Sequence, residues 1–309
     1  MSVVRVVAAW LFVLGVAGPA LANDWRVPSD FPTIQAAIDS PDVEPGDRVL
    51  VGPGTFAGAL VNKPVRIQGV GNAVIGSGPL HPAGLVQGFR LAAGADGTTI
   101  SHLRFTVDLA IITATNSRVN GVAVHHNTIE NAVQGISAWL GSGWLITQND
   151  IVDLRSRCGG GIGILIGEYN AGTVSGNEIS HNRITGTLHV SPTDCGGYSA
   201  TGIVVYADFR FGRAGAASIT SNFIVQNTVS LVSDAPAVVD VIGIELTEAS
   251  DPDPSLHVIH GNGIGFNDLR GTVTQLAMTP PELDNPINAV SRNLGENRGH
   301  GLHPAAFEP

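Results

Sequence analysis

The sequence is short of several residue types, and each shortage narrows the class of protein. Only 16 of the 309 residues are basic, against 26 acidic ones, and the formal net charge is −10. Because a surface that binds nucleic acid needs an excess of positive charge to neutralise phosphates, this balance excludes general nucleic-acid binding. A polyanion would need a locally basic groove or bound cations. Only three Tyr and four Trp accompany 39 Gly, a composition that suits a turn-rich repeat protein.

Long apolar runs are also scarce, and the main one lies near the start of the chain. It extends from Val6 to Gly18, follows Arg5 and precedes the small residues Ala20-Leu21-Ala22. This pattern predicts a signal peptide over residues 1–22, cleaved before Asn23. A membrane anchor is the lesser alternative, because a membrane-spanning helix needs about 20 apolar residues. We therefore expect a secreted or periplasmic protein with no stable membrane span after cleavage; the sequence does not indicate its oligomeric state.

The clearest positive pattern is a phrase that returns five times: an apolar residue, two variable residues, Asn, one variable residue and a second apolar residue. A Gly-Ile dipeptide stands between consecutive copies. Two alternating phrases with gaps of variable length are typical of a solenoid in which each repeat forms one coil. The asparagines are Asn127, Asn149, Asn182, Asn227 and Asn267, and the dipeptides begin at Gly135, Gly163, Gly202 and Gly243.

The repeated phrases predict strands and turns. They are rich in Gly and β-branched residues, and their apolar positions do not keep a period of 3.6 residues. We interpret each Asn as a corner between two strands, because Asn tolerates left-handed backbone angles. Stacked about 4.8 Å apart, the Asn side chains would pair in a ladder. Parallel strands in coils of about 22 residues form a right-handed parallel β-helix. In its repeated strand-and-turn phrases the sequence resembles the pectin lyase-like superfamily.

The ends of the chain are predicted to cover the ends of the stack. Residues from Ser29 to Ile38 have helix-capping residues and one apolar face, which predicts a short helix. This opening resembles that of secreted β-helix proteins and pectin methylesterases, in which a helix covers the first coil. Since no linker-like run interrupts the chain, we expect one elongated all-β domain over residues 23–278. A capping tail follows over residues 279–309, and its Pro-, Asn- and Gly-rich end is a candidate for disorder.

The chain has two cysteines, Cys158 and Cys195, and each is followed by Gly-Gly. They precede Gly163 and Gly202 by five and seven residues, so they hold nearly the same place on adjacent coils. Equivalent Cα atoms on adjacent coils lie about 5 Å apart, which a disulfide accepts. An exported protein also meets oxidising conditions. We therefore predict a Cys158–Cys195 disulfide.

The catalytic signatures of enzymes in this superfamily are missing. Of the polygalacturonase signatures only Gly299-His300-Gly301 occurs, in the tail, and we interpret it as chance. The Gln-Asp and Asp-Phe-Ile-Phe-Gly segments of pectin methylesterases are absent. No run matches the Arg base and the calcium-ligating Asp residues of pectate lyases. The resemblance therefore implies a fold without implying a reaction.

The loops after the Gly-Ile strands would stack into one column that is rich in aromatic, acidic and Arg side chains. Such a column suits a groove for polysaccharide, and carboxylates one or two coils apart would lie about 5 to 10 Å from each other, which includes the separations used in glycoside hydrolysis. We predict Glu168, Asp208 and Arg210 as catalytic residues, with Glu168 and Asp208 as the carboxylate pair. The predicted substrate-binding residues are Trp139, Tyr169, Tyr206 and Arg213.

An elimination reaction is the alternative chemistry for the same column. A lyase that acts on uronic acid chains neutralises the substrate carboxylate with Ca²⁺ or Arg and then removes a proton from carbon. Arg210 or Arg213 would take one of these roles, and Ca²⁺ is the candidate cofactor because it prefers oxygen ligands. An ordinary solvated turn explains the acidic run equally well. The predicted metal ligands are Glu245, Glu248, Asp251 and Asp253.

Histidines near the corners are interpreted as surface residues. His126 and His181 each precede a corner Asn, at a position that holds Gln or Phe in the other copies. His125 and His126 are consecutive in a strand, so their side chains are predicted to point to opposite faces and to form no two-ligand metal site by themselves.

Three functions stay open at this level. The first is a secreted or periplasmic β-helix that engages polysaccharide along the loop column from Trp139 to Asp253, either by binding alone or with cleavage as a hydrolase or a lyase. The second is a non-catalytic structural or surface protein in which the β-helix is a rigid rod. The third, a periplasmic accessory protein of metalloenzyme maturation, depends on the opening segment alone.

Overall fold

The computed structural model describes residues 22–210, 216–249, 257–299 and 301–307. Residues 1–21 of the predicted signal peptide lie outside these ranges, as do Arg213, Asp251 and Asp253. The described part of the chain winds as a right-handed parallel β-helix, as predicted. Its strands form four sheets, and every strand pairs with the equivalent strand of the next coil in parallel.

Sheet I and sheet III meet at the corner that carries the repeated asparagines. The strands of sheet I are Asp24–Val27, Arg48–Val51, Arg66–Gly69, Thr99–Ser101, Ala123–His125, Leu145–Thr147, Glu178–Ser180, Phe223–Val225, Gly263–Gly265 and Ala289–Ser291. The strands of sheet III are Gly54–Ala57, Ala73–Ser77, Arg104–Phe105, Thr128–Ala132, Asp150–Ser156, Arg183–Val190 and Thr228–Ser233.

Sheet II contains the Gly-Ile dipeptides, and sheet IV is a short fourth side in the later coils. The strands of sheet II are Ala59–Val61, Gln87–Leu91, Leu109–Thr113, Gln134–Trp139, Ile162–Glu168, Ser199–Asp208, Asp240–Ala249, Thr274–Thr279 and Arg298–Gly299. The strands of sheet IV are Gly172–Ser175, Ala217–Thr220 and Ile259–His260.

The five repeated asparagines form a continuous ladder. Asn149 Nδ2 donates to Asn182 Oδ1 at 3.0 Å, and Asn182 Nδ2 donates to Asn227 Oδ1 at 3.0 Å. The same contact joins Asn127 to Asn149 and Asn227 to Asn267. Each amide also accepts a hydrogen bond from a backbone N–H of the preceding coil, so the ladder satisfies buried backbone groups as well as side chains. Asn293 continues it beyond the fifth repeat.

The turn at this corner falls one residue earlier than the sequence pattern indicates. The residue before each Asn has the left-handed backbone, for example His126 with a φ of 56° and Gln148 with a φ of 55°. Phe266 takes the same conformation, with a φ of 60°. The stacked Asn amides hold the backbone in this strained region, so that position tolerates residues that rarely adopt it alone.

A second Asn ladder runs along the other end of the sheet I strands. Asn177 Nδ2 donates to Asn222 Oδ1 at 2.9 Å, and Asn222 Nδ2 donates to Asn262 Oδ1 at 2.8 Å. Asn262 pairs in turn with Asn288. Each of these residues lies five positions before an Asn of the first ladder, a constant spacing that the sequence contains.

The predicted N-terminal helix and the predicted disulfide are both present. A helix spans Ile34–Asp39, Thr33 caps it by accepting from Ala36 N, and Ile34, Ala37 and Ile38 are buried. A 3-10 turn spans Pro281–Leu283. Cys158 and Cys195 form a disulfide with a Cα–Cα distance of 4.8 Å.

No helix in the described residues has the length and apolarity to cross a membrane.

Candidate functional site

The candidate site lies on the outer face of sheet II, which is the face turned away from the hydrophobic core of the β-helix. Along each strand, side chains alternate between the two faces. Ile136, Ile164 and Ile203 are in register with one another and belong to the core. The next residues along these strands, Ser137, Leu165 and Val204, are also in register and continue to Glu245; they occupy the outer face.

This outer face is largely apolar and closed to solvent. It forms a second hydrophobic cluster, separate from the core of the helix, in which every fully buried member is at most 2% exposed. Apolar side chains on the outside of a solenoid are buried only where another segment lies over them. The cluster consists of Leu85, Leu109, Ile112, Val133, Trp139, Leu140, Ile162, Leu165, Val204, Tyr206 and Ala249.

Part of the cover is the end of the chain itself. Residues 301–307, called the strap below, run back along the outer face and cross several coils. Leu302 N donates to Ser199 Oγ at 2.7 Å, and Ser199 N donates to Leu302 O at 3.0 Å. Gly160 N donates to Ala305 O at 2.8 Å. Ala306 and Phe307 pack against the apolar cluster. The tail thus covers the side of the stack.

The far end of the strap is held by a glutamine from an earlier coil. The backbone N–H of Phe307 donates to Gln134 Oε1, and Gln134 Nε2 donates to Phe307 O at 3.4 Å. A side-chain amide that both accepts from and donates to one residue's backbone fixes an extended segment in the way a neighbouring strand would. The Phe307 ring also meets His81 edge to face, with centroids 6.0 Å apart.

Glu245 is the most unusual residue of the face. It is fully buried, and neither carboxylate oxygen has a hydrogen-bond partner in the described part of the chain. Its neighbours in register are Val204 and Ala277, which offer no polar group. Burial raises the pKa of Glu245 to about 8, so the side chain is protonated at neutral pH. Gly301 of the strap lies so close that a Cβ there would overlap Glu245 Oε1.

The predicted aromatic residues come together, but beneath the surface. Trp139 and Tyr206 are both 0% exposed, with ring centroids 5.8 Å apart, and Trp139 meets the Tyr169 ring at 5.4 Å. The Trp139 indole N–H and the Tyr206 hydroxyl have no hydrogen-bond partner among the described residues. Burial raises the pKa of Tyr206. Tyr169 is partly exposed and accepts from Asn116 N at 2.9 Å.

The predicted carboxylate pair, Glu168 and Asp208, does not share a face. Glu168 is in register with Ala207, a core residue, so Asp208 points to the other side of the sheet. Each carboxylate is buried and paired with an Arg. Arg118 Nη2 donates to Glu168 Oε2 at 2.8 Å, and Arg210 Nε donates to Asp208 Oδ1 at 2.8 Å. Arg210, the third residue predicted as catalytic, forms an ion pair with Asp208, and Arg118 is a partner of Glu168 that the sequence did not indicate.

The predicted metal ligands that the structure describes do not converge. Glu245 lies on the outer face, whereas Glu248 is in register with the core residue Ala207. Glu248 accepts from Ile259 N at 2.8 Å and contacts His257 Nδ1 at 3.2 Å. In the ranges that the structure covers, no three His, Cys, Asp or Glu side chains are arranged to hold a metal ion. A calcium site thus stays a prediction that would require Asp251 or Asp253.

The histidines near the first Asn corner correct one sequence prediction. His125 Nδ1 and His126 Nδ1 are 3.0 Å apart, so the two side chains point to the same side. The prediction of opposite faces was wrong because His126 has the left-handed backbone of the corner, which ends the alternation of the strand. His102, one coil earlier, stacks on His126 with ring centroids 5.0 Å apart.

The Gly299-His300-Gly301 motif, interpreted from the sequence as chance, ends at a residue that lies against the outer face of sheet II. A Cβ on its last Gly would overlap Glu245 Oε1, so this position marks the close approach of the strap to that side chain. Gln134 and Ser199, which hold the strap, carry no pattern that marks them, because their partners lie 173 and 103 residues away.

Comparison with known proteins gives one limited similarity. No protein-family profile matches the chain. Among curated proteins, the chain is similar to a cell surface glycoprotein of Methanothermus fervidus, with 27% identity over 134 residues. The match covers 40% of this chain and 20% of the glycoprotein, so the chain spans about a fifth of that relative's length.

Proposed function

We propose that the protein is an exported, non-catalytic β-helix that serves as a rigid scaffold at the cell surface. The observation that carries this proposal is the state of the predicted catalytic pair. Glu168 and Asp208 are buried, each is neutralised by an Arg, and they face opposite sides of sheet II. A carboxylate that is buried against an Arg is shielded from a substrate, which argues against its use as a general acid or a nucleophile.

Export is supported by three independent features. The disulfide suits an oxidising compartment, the start of the chain has the pattern of a signal peptide, and the partial similarity is to a cell surface glycoprotein. The parallel β-helix also agrees with the resemblance to the pectin lyase-like superfamily, and a shared fold by itself implies no reaction.

Two measurements test the scaffold. Protease shaving or antibody labelling of intact producing cells should detect the protein outside the cytoplasmic membrane. The purified protein, incubated with acidic and neutral polysaccharides with and without Ca²⁺, should yield neither new reducing ends nor ultraviolet-absorbing unsaturated products. Product formation that is lost in Glu168→Gln or Asp208→Asn would overturn the proposal.

A second candidate is polysaccharide binding on the outer face of sheet II. It is favoured by Glu245, whose buried carboxyl group has no described partner and lies under the strap, on the same face as the Trp139 and Tyr206 rings. A sugar hydroxyl would provide the missing partner, and Trp139, three coils away along the same face, would stack against another ring of the same polysaccharide. A variant truncated after Gly299 would uncover the face. Glycan binding by this variant, with loss of binding in its Glu245→Leu derivative, would support the candidate, and absence of binding would remove it.

A further inference from the structure

We propose that His125 and His126 bind a divalent transition-metal ion such as Zn²⁺, Cu²⁺ or Ni²⁺ at the corner between sheets I and III. Imidazole nitrogen is a preferred ligand of all three ions. His125 is partly exposed and His126 is exposed, so an ion reaches them from solvent. The site lies on a different side of the β-helix from the outer face of sheet II.

The separation of the two nitrogens fits ligation of one ion. With metal–nitrogen bonds of about 2.0–2.1 Å and an angle between 90° and a tetrahedral value, two ligand nitrogens lie about 3 Å apart. His125 Nδ1 and His126 Nδ1 are 3.0 Å apart. Without metal, this contact is a hydrogen bond that needs a proton on one of the two atoms. Binding requires both rings to be neutral with their protons on Nε2, so that both Nδ1 lone pairs face the ion.

The backbone holds this pair in place. His125 ends a strand of sheet I that is paired on both sides, with Ser101 and Thr147. His126 is fixed in its left-handed conformation by the Asn ladder, which Asn127 enters directly after it. A preorganised pair loses little conformational freedom when it binds, which favours affinity.

A third imidazole, that of His102, packs against the pair. His102 stacks on His126 at 5.0 Å and meets His125 edge to face at 5.9 Å. Its ring is parallel to that of His126, so it supports the pair by stacking, and water completes the coordination sphere.

The test is calorimetric titration of the disulfide-bonded protein with ZnCl₂, combined with copper electron paramagnetic resonance, which detects nitrogen ligands. The β-helix itself supplies the substitutions: Gln148 and Gln226 occupy the corner in other coils, and Thr147 is in register with His125. His125→Thr and His126→Gln should therefore fold normally, as circular dichroism would verify. Each should weaken binding at least tenfold and reduce the nitrogen signal of copper.

His181→Gln is the matched control. His181 occupies the same left-handed corner position, with a φ of 56°, but its ring meets no other imidazole among the described residues. We expect it to bind one equivalent of Zn²⁺ as the wild type does. Absence of binding by the wild type, unchanged binding in both cluster variants, or an equal loss in the control would overturn the site.

Discussion

Replacing Glu245 with Gln removes an ionisable group from the apolar outer face of sheet II and keeps the shape of the side chain. In the folded protein, burial raises the pKa of this carboxyl group from 4.5 to about 8. In the unfolded chain the same group is solvated and releases its proton near its ordinary pKa. Between these two values the folded state binds one more proton than the unfolded state. The free energy of unfolding of the wild type should therefore fall as the pH rises.

The size of the effect follows from the two pKa values. Each pH unit between them costs about 1.4 kcal/mol. From pH 4.5 to pH 7 the wild type should thus lose about 3 kcal/mol, and the loss should reach about 5 kcal/mol above pH 8. Glu245→Gln has no proton to release. The Gln amide, which also lacks a hydrogen-bond partner, lowers stability by an amount that does not depend on pH. The pH dependence of the difference in stability between the two proteins therefore measures the ionisation of Glu245 alone.

Urea unfolding followed by circular dichroism at pH 5, 7 and 9 measures this difference. The stability of Glu245→Gln relative to the wild type should increase steadily across the series. Glu282→Gln, at an exposed position, is the control and should run parallel to the wild type. Parallel profiles for Glu245→Gln and the wild type would refute the reasoning, because they would mean that the carboxyl group reaches water in the folded protein.

Three further changes test the contacts that hold the coils. Replacing both cysteines with Ser opens a covalent loop with a sequence separation of 37, which should lower stability by about 4 kcal/mol; urea unfolding of the wild type in reductant should give the same loss. Arg118→Met leaves a buried glutamate unpaired and should lower stability by about 3–5 kcal/mol, whereas Arg183→Met, at an exposed pair, should lower it by less than about 1 kcal/mol. Asn182→Leu interrupts the first ladder and should lower the thermal midpoint far more than the exposed Asn72→Ala; equal shifts would contradict a structural role of the amides.

The fold was predictable because its pattern is local and repeated. Each coil places an Asn, a short apolar strand and a Gly-Ile dipeptide at equivalent positions, so the structure assigned to one coil predicts that of the next. The exact turn residue was not predictable in this way. His126, Gln148 and Phe266 share a left-handed backbone without sharing a chemistry, because the stacked amides beside them impose the conformation. The resulting approach of His125 to His126 could not be derived from strand alternation.

The candidate site was less predictable because its determinants are distant in sequence. Loop residues chosen for their chemistry, such as Trp139 and Tyr206, do lie together, but they are buried within the outer-face cluster. The strap meets Ser199 through a contact between residues 103 positions apart, which no repeat specifies. Glu168 likewise depends on Arg118, which belongs to an earlier loop and stands outside the repeated phrases.

The two sides of the β-helix therefore differ in what they offer to a partner. On the outer face of sheet II, a ligand would first have to displace Leu302 from Ser199 and Phe307 from Gln134, which exchanges formed hydrogen bonds for new ones. At the corner of sheets I and III, the imidazoles of His102 and His126 already face solvent and no strap must move. Binding at the corner should thus proceed without a conformational step, whereas binding at the sheet II face should be limited by release of the strap.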